Sequence, residues 1–381
     1  MSPRSTLARI KLSFEKFIEK CMSLFKLYRL LTITSLLLVS YNAHALEIRF
    51  INPGFSDSVD SKNNNTGNFW FDVSKIMQNA ATDLDVTLTI KYANRNHILM
   101  KELIQQAIND KPDYLILVNE KNVTSKYLSK IDSKNVPIYF LLNRPSPASV
   151  DKLRNNGTNI VGSITPNNRV AGKLLMQELY NTFSKKTTTQ AHTLALLGDY
   201  ATPASIMRTQ GLMDFLTQTP QVTLIAKEVA NWSEQEGFRK TLAYMQQAPE
   251  INIIWCANDA IAFGAKRALK QLNKQSQVIV GGINWEAPPN NSSELDVSIG
   301  GHVLLGAYAL VNLFDNHTQP QHSPLLHRTA DIFDPLNAAN IPLYKAINTT
   351  GLAEIDFMQF SKTRADWHEF TIENLLLALE K

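Results

Sequence analysis

The side chains best suited to chemistry in this chain of 381 residues follow its strand-like apolar runs. Asn119 comes directly after the run YLILV, and Asn143 and Arg144 come directly after PIYFLL. Trp232, Asn258 and Asn284 follow later apolar runs, and Arg208 lies in the helix predicted after another such run. Amides and guanidinium groups offer paired donors and acceptors that suit hydroxyl-rich ligands, and aromatic rings suit the apolar face of a sugar or purine. This pattern predicts a binding site for a polar small molecule.

A structural role is the alternative for each of these residues taken alone. An asparagine after a strand is often a turn former or a helix N-cap. Phe69 and Trp70 open a predicted helix, where an aromatic pair serves equally well as core or as a stacking platform. The repetition at seven strand ends favours a site, because ligands of open α/β sheets bind beyond the carboxyl ends of the strands.

The sequence motifs of several enzyme classes are absent from this chain. It has no phosphate-binding loop, dinucleotide fingerprint, nucleophile elbow or zinc-protease helix. His317, His322 and His327 recur every five residues, but prolines separate them and no acid cluster accompanies them, which favours solvated loop histidines over a metal site. Cys256 ends an apolar strand and is interpreted as a buried hydrophobe. We therefore predict no catalytic residue, no metal and no cofactor.

Strands and helices alternate along most of the chain, which indicates βαβ units and parallel sheets. The strand predictions are 46–51, 86–92, 114–118, 137–142, 159–163, 194–197, 224–229, 251–256 and 278–282. The main helix predictions are 69–84, 96–110, 170–183, 204–216, 234–248, 260–272 and 366–380, with a short helix ending near Ser133. The segment from His317 to Pro342 reads as irregular connection. Because these strands are too many for one sheet, the fold class is predicted as α/β, with two Rossmann-like three-layer lobes of parallel sheet.

The net charge of +4 is concentrated at the N-terminus. Residues 1–45 hold seven of the 38 Lys and Arg and two of the 34 Asp and Glu, so the remainder is close to neutral and is not predicted to bind nucleic acid. An apolar run at 30–39 follows Lys26 and Arg29 and precedes Ala43-His44-Ala45, which is typical of a cleavable signal peptide. Residues 1–45 are therefore predicted to be a signal peptide, with Met22 as an alternative start, and the mature protein is predicted to be periplasmic.

Several motifs together resemble the type I periplasmic binding proteins of the ribose/galactose class. The stretch from Cys256 to Leu269 is similar to the strand-to-helix turn xNDxxAxGAxxAL of that family. Arg208-x-x-Gly211 resembles its R-x-x-G helix, and Val280–Asn284 resembles its vvGfD strand. Gly67-Asn68-Phe69-Trp70 looks like its stacking turn. The resemblance extends from about Leu46 to Leu313.

The resemblance implies roles for individual residues of this chain. Ring faces of the ligand would stack on Phe69, Trp70 and Trp232. Its polar groups would bond to Asn119, Asn143, Arg144, Arg208, Asn258 and Asn284. Asn143 and Asn284 stand where the family often has aspartate, which suggests a partly anionic ligand or a different sugar, and His302 is an uncertain contact.

The resemblance also implies two lobes joined by three crossovers, near Thr165–Asn168, near Gly300–His302 and within Thr329–Ile341. The N-terminal lobe is predicted to comprise 46–165 and about 302–335, and the C-terminal lobe 166–301 and about 336–381 with the terminal helix. Ligand would close the lobes, and the closed form, a monomer, would dock on a membrane partner.

Three functions fit this resemblance and the residues. The first is a solute-binding protein that captures a sugar or similar polar molecule and delivers it to an ABC permease. The alternative is a periplasmic signal-binding subunit of a two-component sensor kinase or chemoreceptor. A secreted enzyme is the third and least favoured function, with the candidates Asp199, Asp259, Glu286 and His302.

Overall fold

The computed structural model of the chain describes residue 22 and residues 45–56, 66–289 and 294–380. Leu46–Lys381 forms one compact unit. The predicted signal peptide lies outside the described residues, apart from Met22 and Ala45. None of the helices in the described part of the chain has both the length and the apolar character that a membrane crossing needs.

The first sheet has six strands in the order β11-β5-β4-β3-β1-β2, all parallel. Its strands are β1 Glu47–Asn52, β2 Thr87–Tyr92, β3 Tyr114–Leu117, β4 Ile138–Leu141, β5 Ile160–Pro166 and β11 His327–Ala330. β3 and β4 are buried along their whole length, because helices cover both faces of this sheet. Continuous apolar runs such as YLIL and IYFL are what such central strands require.

The second sheet repeats the arrangement, with the order β12-β10-β9-β8-β6-β7. Its strands are β6 Ala191–Leu197, β7 Val222–Val229, β8 Ile253–Cys256, β9 Ile279–Ile283, β10 Val297–Gly300 and the short β12 Asp334–Pro335. Five of these strands are parallel, and β12 is antiparallel to β10. The predicted α/β class with two mainly parallel sheets is confirmed. We call each sheet with the helices packed on it a lobe.

Eleven α-helices longer than one turn occur within the described residues. They are α1 Phe69–Asp83, α2 His97–Asp110, α3 Val123–Leu128, α4 Pro147–Asn155, α5 Asn168–Ser184, α6 Pro203–Gln218, α7 Glu234–Gln247, α8 Asp259–Gln271, α9 Leu305–Thr318, α10 Ile341–Thr349 and α11 Ile372–Leu379. Side chains fix several of the starts: Asn96, Ser233 and Asn258 each accept a hydrogen bond from a backbone N–H in the first turn of the helix that follows.

The core of the first lobe contains residues from both ends of the folded chain. Ile48 and Phe50 of β1 share one buried cluster with Leu343 of α10 and Leu375 of α11. The segment after β12 therefore packs with the first lobe, whereas the sequence analysis assigned 336–381 to the second. The segment packs there because its apolar side chains contact α1 and α9 of the first lobe and not the second sheet.

The chain passes between the lobes in the three regions that the sequence analysis named. It leaves the first sheet after β5 and enters α5 of the second lobe. It returns after β10 through a single 3₁₀ turn, His302–Leu304, that leads into α9. In the third region it runs from β11 to β12, on the second sheet, and then back to α10 on the first lobe. In this third region the chain thus crosses twice, from the first lobe to the second and back to the first.

Some elements differ from the sequence predictions. The segment His317–Pro342, predicted as irregular, contains β11 and β12. The last helix begins at Ile372 and not at Asp366, because Thr371 takes an extended conformation and its side chain accepts from the backbone N–H of Asn374. Helices α4, α9 and α10 were not predicted. α9 is apolar on most sides because it is buried against α1 and β5, so it lacks a clear amphipathic period.

Candidate functional site

A cavity of about 60 Å³ lies between the two lobes at the carboxyl ends of their strands. The first lobe contributes Thr66, Phe69, Trp70, Arg95, Glu120, Leu142, Asn143 and Pro166. The second lobe contributes Asn168, Thr202, Ala204, Arg208, Trp232, Asn258 and Asn284, and His302 comes from the return connection. A space of this size holds roughly four to six water molecules and is too small for an oligosaccharide.

Seven of the nine predicted binding residues line this cavity: Phe69, Trp70, Asn143, Arg208, Trp232, Asn258 and Asn284. Asn119 and Arg144 lie outside the lining. Asn119 is fully buried, accepts from the backbone N–H of Ser125 and donates to Asn122, so it shapes the turn after β3. Arg144 is directed to the hydroxyl of Ser163 on β5, at 3.5 Å.

Arg208 is the most constrained cation of the site, with only 3% of its surface exposed. Its Nε donates to Oδ1 of Asn168 at 2.9 Å, Nη1 to the carbonyl of Ala257 at 2.6 Å, and Nη2 to Nε2 of His302 at 3.0 Å. Burial lowers the pKa of Arg208 to about 9, so it remains charged at neutral pH. The predicted R-x-x-G helix thus delivers a fixed guanidinium to the cavity wall.

Trp232 is held in place at its indole nitrogen. Its Nε1 donates to Oδ2 of Asp199 at 2.7 Å, and the ring lies 5.8 Å from the guanidinium carbon of Arg208. Its ring also passes so close to Gly198 that a Cβ there would lie 2.2 Å from a ring carbon. Burial alone would raise the pKa of Asp199, but hydrogen bonds from Thr202, Trp232 and Ala201 hold it below its ordinary value. The charged carboxylate of Asp199 therefore orients the ring of Trp232.

The aromatic rings of the first lobe form a second wall. Phe69 stacks on the imidazole of His302, with 4.6 Å between centroids and 23° between planes, and meets Trp70 edge-on. The other side of His302 packs against Phe333 at 4.6 Å. Burial and the neighbouring Arg208 hold the pKa of His302 well below its usual range, so the ring is neutral and Nε2 accepts from Arg208.

Three of the predicted asparagines combine a structural bond with a place on the cavity. Oδ1 of Asn143 accepts from the backbone N–H of Ala204, a bond that crosses between the lobes. Asn258 caps α8 by accepting from the backbone N–H of Ile261 at 3.1 Å. Asn284 donates to Glu286 at 2.5 Å. The capping alternative considered for a lone asparagine is therefore observed at Asn258, together with a position on the lining.

Buried carboxyl groups lie next to the site. Glu286 accepts from the backbone N–H of Asn68, just before α1, and thereby bonds the second lobe to the first. Burial raises the pKa of Glu286 to about 7. Burial, with repulsion from Glu286, raises the pKa of both Asp72 and Asp259 to about 8. None of the three carboxyl groups is part of the cavity lining.

Sequence reasoning missed an ion pair on the cavity wall. Arg95 and Glu120 both line the cavity and contact each other at 2.5 Å. Both residues stand where the sequence analysis looked for site residues, just after a predicted strand. Glu120 directly follows Asn119, and Arg95 follows the second predicted strand. Arg95 would have been found if the residues after β2 had been considered in the same way as those after the other strands. Asn168 and Thr202 begin helices of the second lobe and carry no motif of their own.

Of the four candidates for enzyme chemistry, His302 lines the cavity, whereas Asp199, Asp259 and Glu286 do not. His302 is engaged by Arg208 and two rings, as described above. Cys256 is fully buried, and burial raises its thiol pKa well above the ordinary value, which disfavours the thiolate. In the described part of the chain, no three His, Cys, Asp or Glu side chains are grouped as a metal site would need.

The sequence of this chain is similar to those of known proteins. Residues 62–289 match the family model described as "periplasmic binding protein domain". The D-apiose import binding protein of Actinobacillus succinogenes is 27% identical over 181 residues, which cover 47% of this chain and 54% of that protein. The D-allose-binding periplasmic protein of Escherichia coli is 23% identical over 224 residues, covering 56% and 68%. The chain thus spans about half the length of the first of these relatives.

A solved structure matches over a greater length. The periplasmic sugar-binding protein from Pseudomonas fluorescens is 26% identical, with a TM-score of 0.73, and the match covers 87% of this chain and 99% of that one. Two mainly parallel sheets with a polar cavity between them define a two-lobed binding protein of the α/β class. This chain belongs to the periplasmic binding protein family.

Proposed function

We propose that this protein captures a sugar or similar polyol in the cavity between its lobes and delivers it to an ABC permease. The observation that carries this proposal is the cavity itself, where four amides, a fixed guanidinium and stacked aromatic rings share a small space. Amides and guanidinium groups pair with hydroxyl groups, and aromatic rings pack against the apolar face of a sugar ring. The apiose and allose binding named for two relatives supports the same class of ligand.

The proposal includes the mode of action. The lobes contact each other directly through Asn143 and Ala204 and through Glu286 and Asn68. A ligand that contacts both lobes favours this closed arrangement over an open one, in proportion to its difference in affinity for the two. The protein acts as a periplasmic monomer after removal of residues 1–45, and it performs no catalysis.

The experiment begins with the mature chain from Leu46 and a panel of D-apiose, D-allose, xylitol and myo-inositol, with uronates and aldonates added. Calorimetry measures the dissociation constants, and mass spectrometry of freshly denatured protein detects any small molecule that copurifies. Binding of at least one compound at micromolar concentration, abolished in Trp232→Ala, is the expected result. If no sugar, polyol or sugar acid binds and none copurifies, the binding proposal is wrong.

Delivery is tested in the bacterium that carries the gene. Uptake of the radiolabelled ligand is compared between the intact strain and one from which the gene has been deleted. Loss of uptake in the deletion strain supports delivery to a permease. Unchanged uptake, with loss of a transcriptional response to the ligand, would instead favour the signal-binding alternative.

A further inference from the structure

The charged side chains on the cavity wall do not balance. Arg95 and Glu120 pair with each other at 2.5 Å and together contribute no net charge. Arg208 is the remaining charged residue of the described lining. The charged side chains of the described lining therefore sum to one positive charge.

The immediate neighbours of Arg208 leave this charge uncompensated. Its three hydrogen bonds go to an amide oxygen, a backbone carbonyl and the neutral imidazole of His302. Arg208 takes part in none of the ion pairs found among the described residues. A buried cation without a negative partner is costly, so a group that supplies the partner gains affinity.

The acidic group that acts electrostatically on Arg208 forms no ion pair with it. That group is Asp259, and burial with repulsion from Glu286 raises its pKa to about 8. This shift disfavours the charged form of Asp259. Oδ2 of Asp259 is also occupied by the backbone N–H of Glu286 and the hydroxyl of Ser298.

Arg208 still has donors to offer. A guanidinium carries five N–H bonds, and three of them are used in the bonds described above, which leaves one on each Nη atom. A guanidinium with two remaining donors suits a carboxylate, whose two oxygens accept parallel bonds from such a fork. The other polar lining residues include Asn143, Asn168, Asn258 and Asn284, whose amides can pair with hydroxyl groups and add no negative charge.

We infer that the ligand is a single-ring or single-chain sugar acid, a uronate or an aldonate, whose carboxylate binds Arg208 while its hydroxyl groups meet the amides. This inference rests on the proposed function and narrows its ligand class. Trp232 and Phe69 line the cavity and would contact the carbon skeleton under either ligand class.

The first test compares matched probes on the unaltered protein. Calorimetry at pH 7 measures D-galacturonate against D-galactose, D-glucuronate against D-glucose, and D-ribonate against D-ribose. At least one acid is expected to bind tenfold or more tightly than its neutral counterpart, with affinity falling as NaCl rises from 0.05 to 0.5 M. If neutral sugars bind as tightly as the acids or more tightly, the inference is overturned and the proposed function stands. If none of these six probes binds but a neutral sugar or polyol of the earlier panel does, the inference alone is wrong. If no compound of either set binds and none copurifies, both the inference and the proposed function are wrong.

The second test adds a negative charge to the cavity without removing a hydrogen bond. In Asn143→Asp the side chain can still accept from the backbone N–H of Ala204. The acid is expected to lose at least tenfold more affinity than its neutral counterpart, because only the acid is repelled by the added charge. Asn109→Asp on the exposed surface of α2 adds the same charge outside the cavity and keeps the acceptor for Gln105, so its affinities should match those of the unaltered protein. Equal losses for acid and neutral sugar in Asn143→Asp would contradict the inference.

Discussion

At the residue scale, Asp199 determines the position of the Trp232 ring. Its Oδ1 accepts from the backbone N–H groups of Ala201 and Thr202, and its Oδ2 accepts from the hydroxyl of Thr202 and from Trp232. All four bonds require an acceptor, so the residue acts as a carboxylate. Its bonds to Ala201 and Thr202 also fix the conformation of the turn between β6 and α6.

Asp199→Asn is expected to lower the free energy of unfolding by about 1–3 kcal/mol, because an NH₂ group would then face two donors. Ligand affinity should fall as well, since Trp232 loses its anchor. Urea denaturation and calorimetry measure the two effects. Asp214→Asn is the matched control: its carboxylate pairs with Arg169 on the exposed surface of α5 and α6, so a smaller loss of stability is expected. Similar losses in the two variants would mean that Asp199 has no special role.

At the element scale, the crossing of α5 and α6 positions Arg208. A Cβ on Gly172 of α5 would lie 1.9 Å from the carbonyl oxygen of Arg208, and one on Gly211 of α6 would lie 1.9 Å from that of Arg169. The two backbones are therefore in direct contact on both sides of the crossing. The guanidinium reaches Asn168 and Ala257 only because α6 lies this close.

Gly211→Ala is expected to force the helices apart and to lower the free energy of unfolding by about 1–3 kcal/mol. Because Arg208 moves with α6, ligand affinity should fall by tenfold or more. Gly237→Ala provides the comparison: a Cβ there would lie 2.3 Å from the carbonyl of Ile261, but α7 carries no residue of the cavity lining. It should lose stability with a smaller loss of affinity, and equal losses of affinity would argue against a positioning role for the α5–α6 contact.

The elements that could be predicted from the sequence are those with a clear period. β3 and β4 are continuous apolar runs, and α7 alternates buried and exposed residues at helical spacing, so their predicted positions agree with the structure to within a few residues. β11 and β12 were missed because they are short, half-exposed edge strands with no period. The site residues could be found because strand ends share one edge of each sheet, but Asn119 and Arg144 show that position alone does not decide whether a side chain reaches the cavity.

At the scale of the whole molecule, burial of carboxyl groups couples stability to pH. The pKa values of Asp72 and Asp259 rise to about 8 and that of Glu286 to about 7, against ordinary values near 4. The folded state therefore holds protons that the unfolded state releases between about pH 4 and pH 8. Since the folded state binds more protons in that range, stability falls as pH rises.

The free energy of unfolding is expected to fall by at least about 2 kcal/mol from pH 5 to pH 8, since a tenfold change in proton affinity is worth about 1.4 kcal/mol. Urea denaturation at several pH values measures this slope. Asp72→Asn, which keeps the neutral shape of the buried side chain, should flatten the slope. Glu102→Gln, on the exposed face of α2, should leave it unchanged. A slope that Asp72→Asn leaves unchanged would show that Asp72 is charged in the folded protein.

The return of the chain to the first lobe sets an order of events during synthesis. Five of the six strands of the second sheet come from one stretch, Ala191–Gly300, and that sheet lacks only the short β12 when Gly300 has been made. The first sheet starts with Glu47 but needs β11, and its core needs Leu343, Phe357 and Leu375. The lobe whose first strand comes earliest in the chain is therefore completed last, and it exposes apolar surface until almost the whole chain is available for folding.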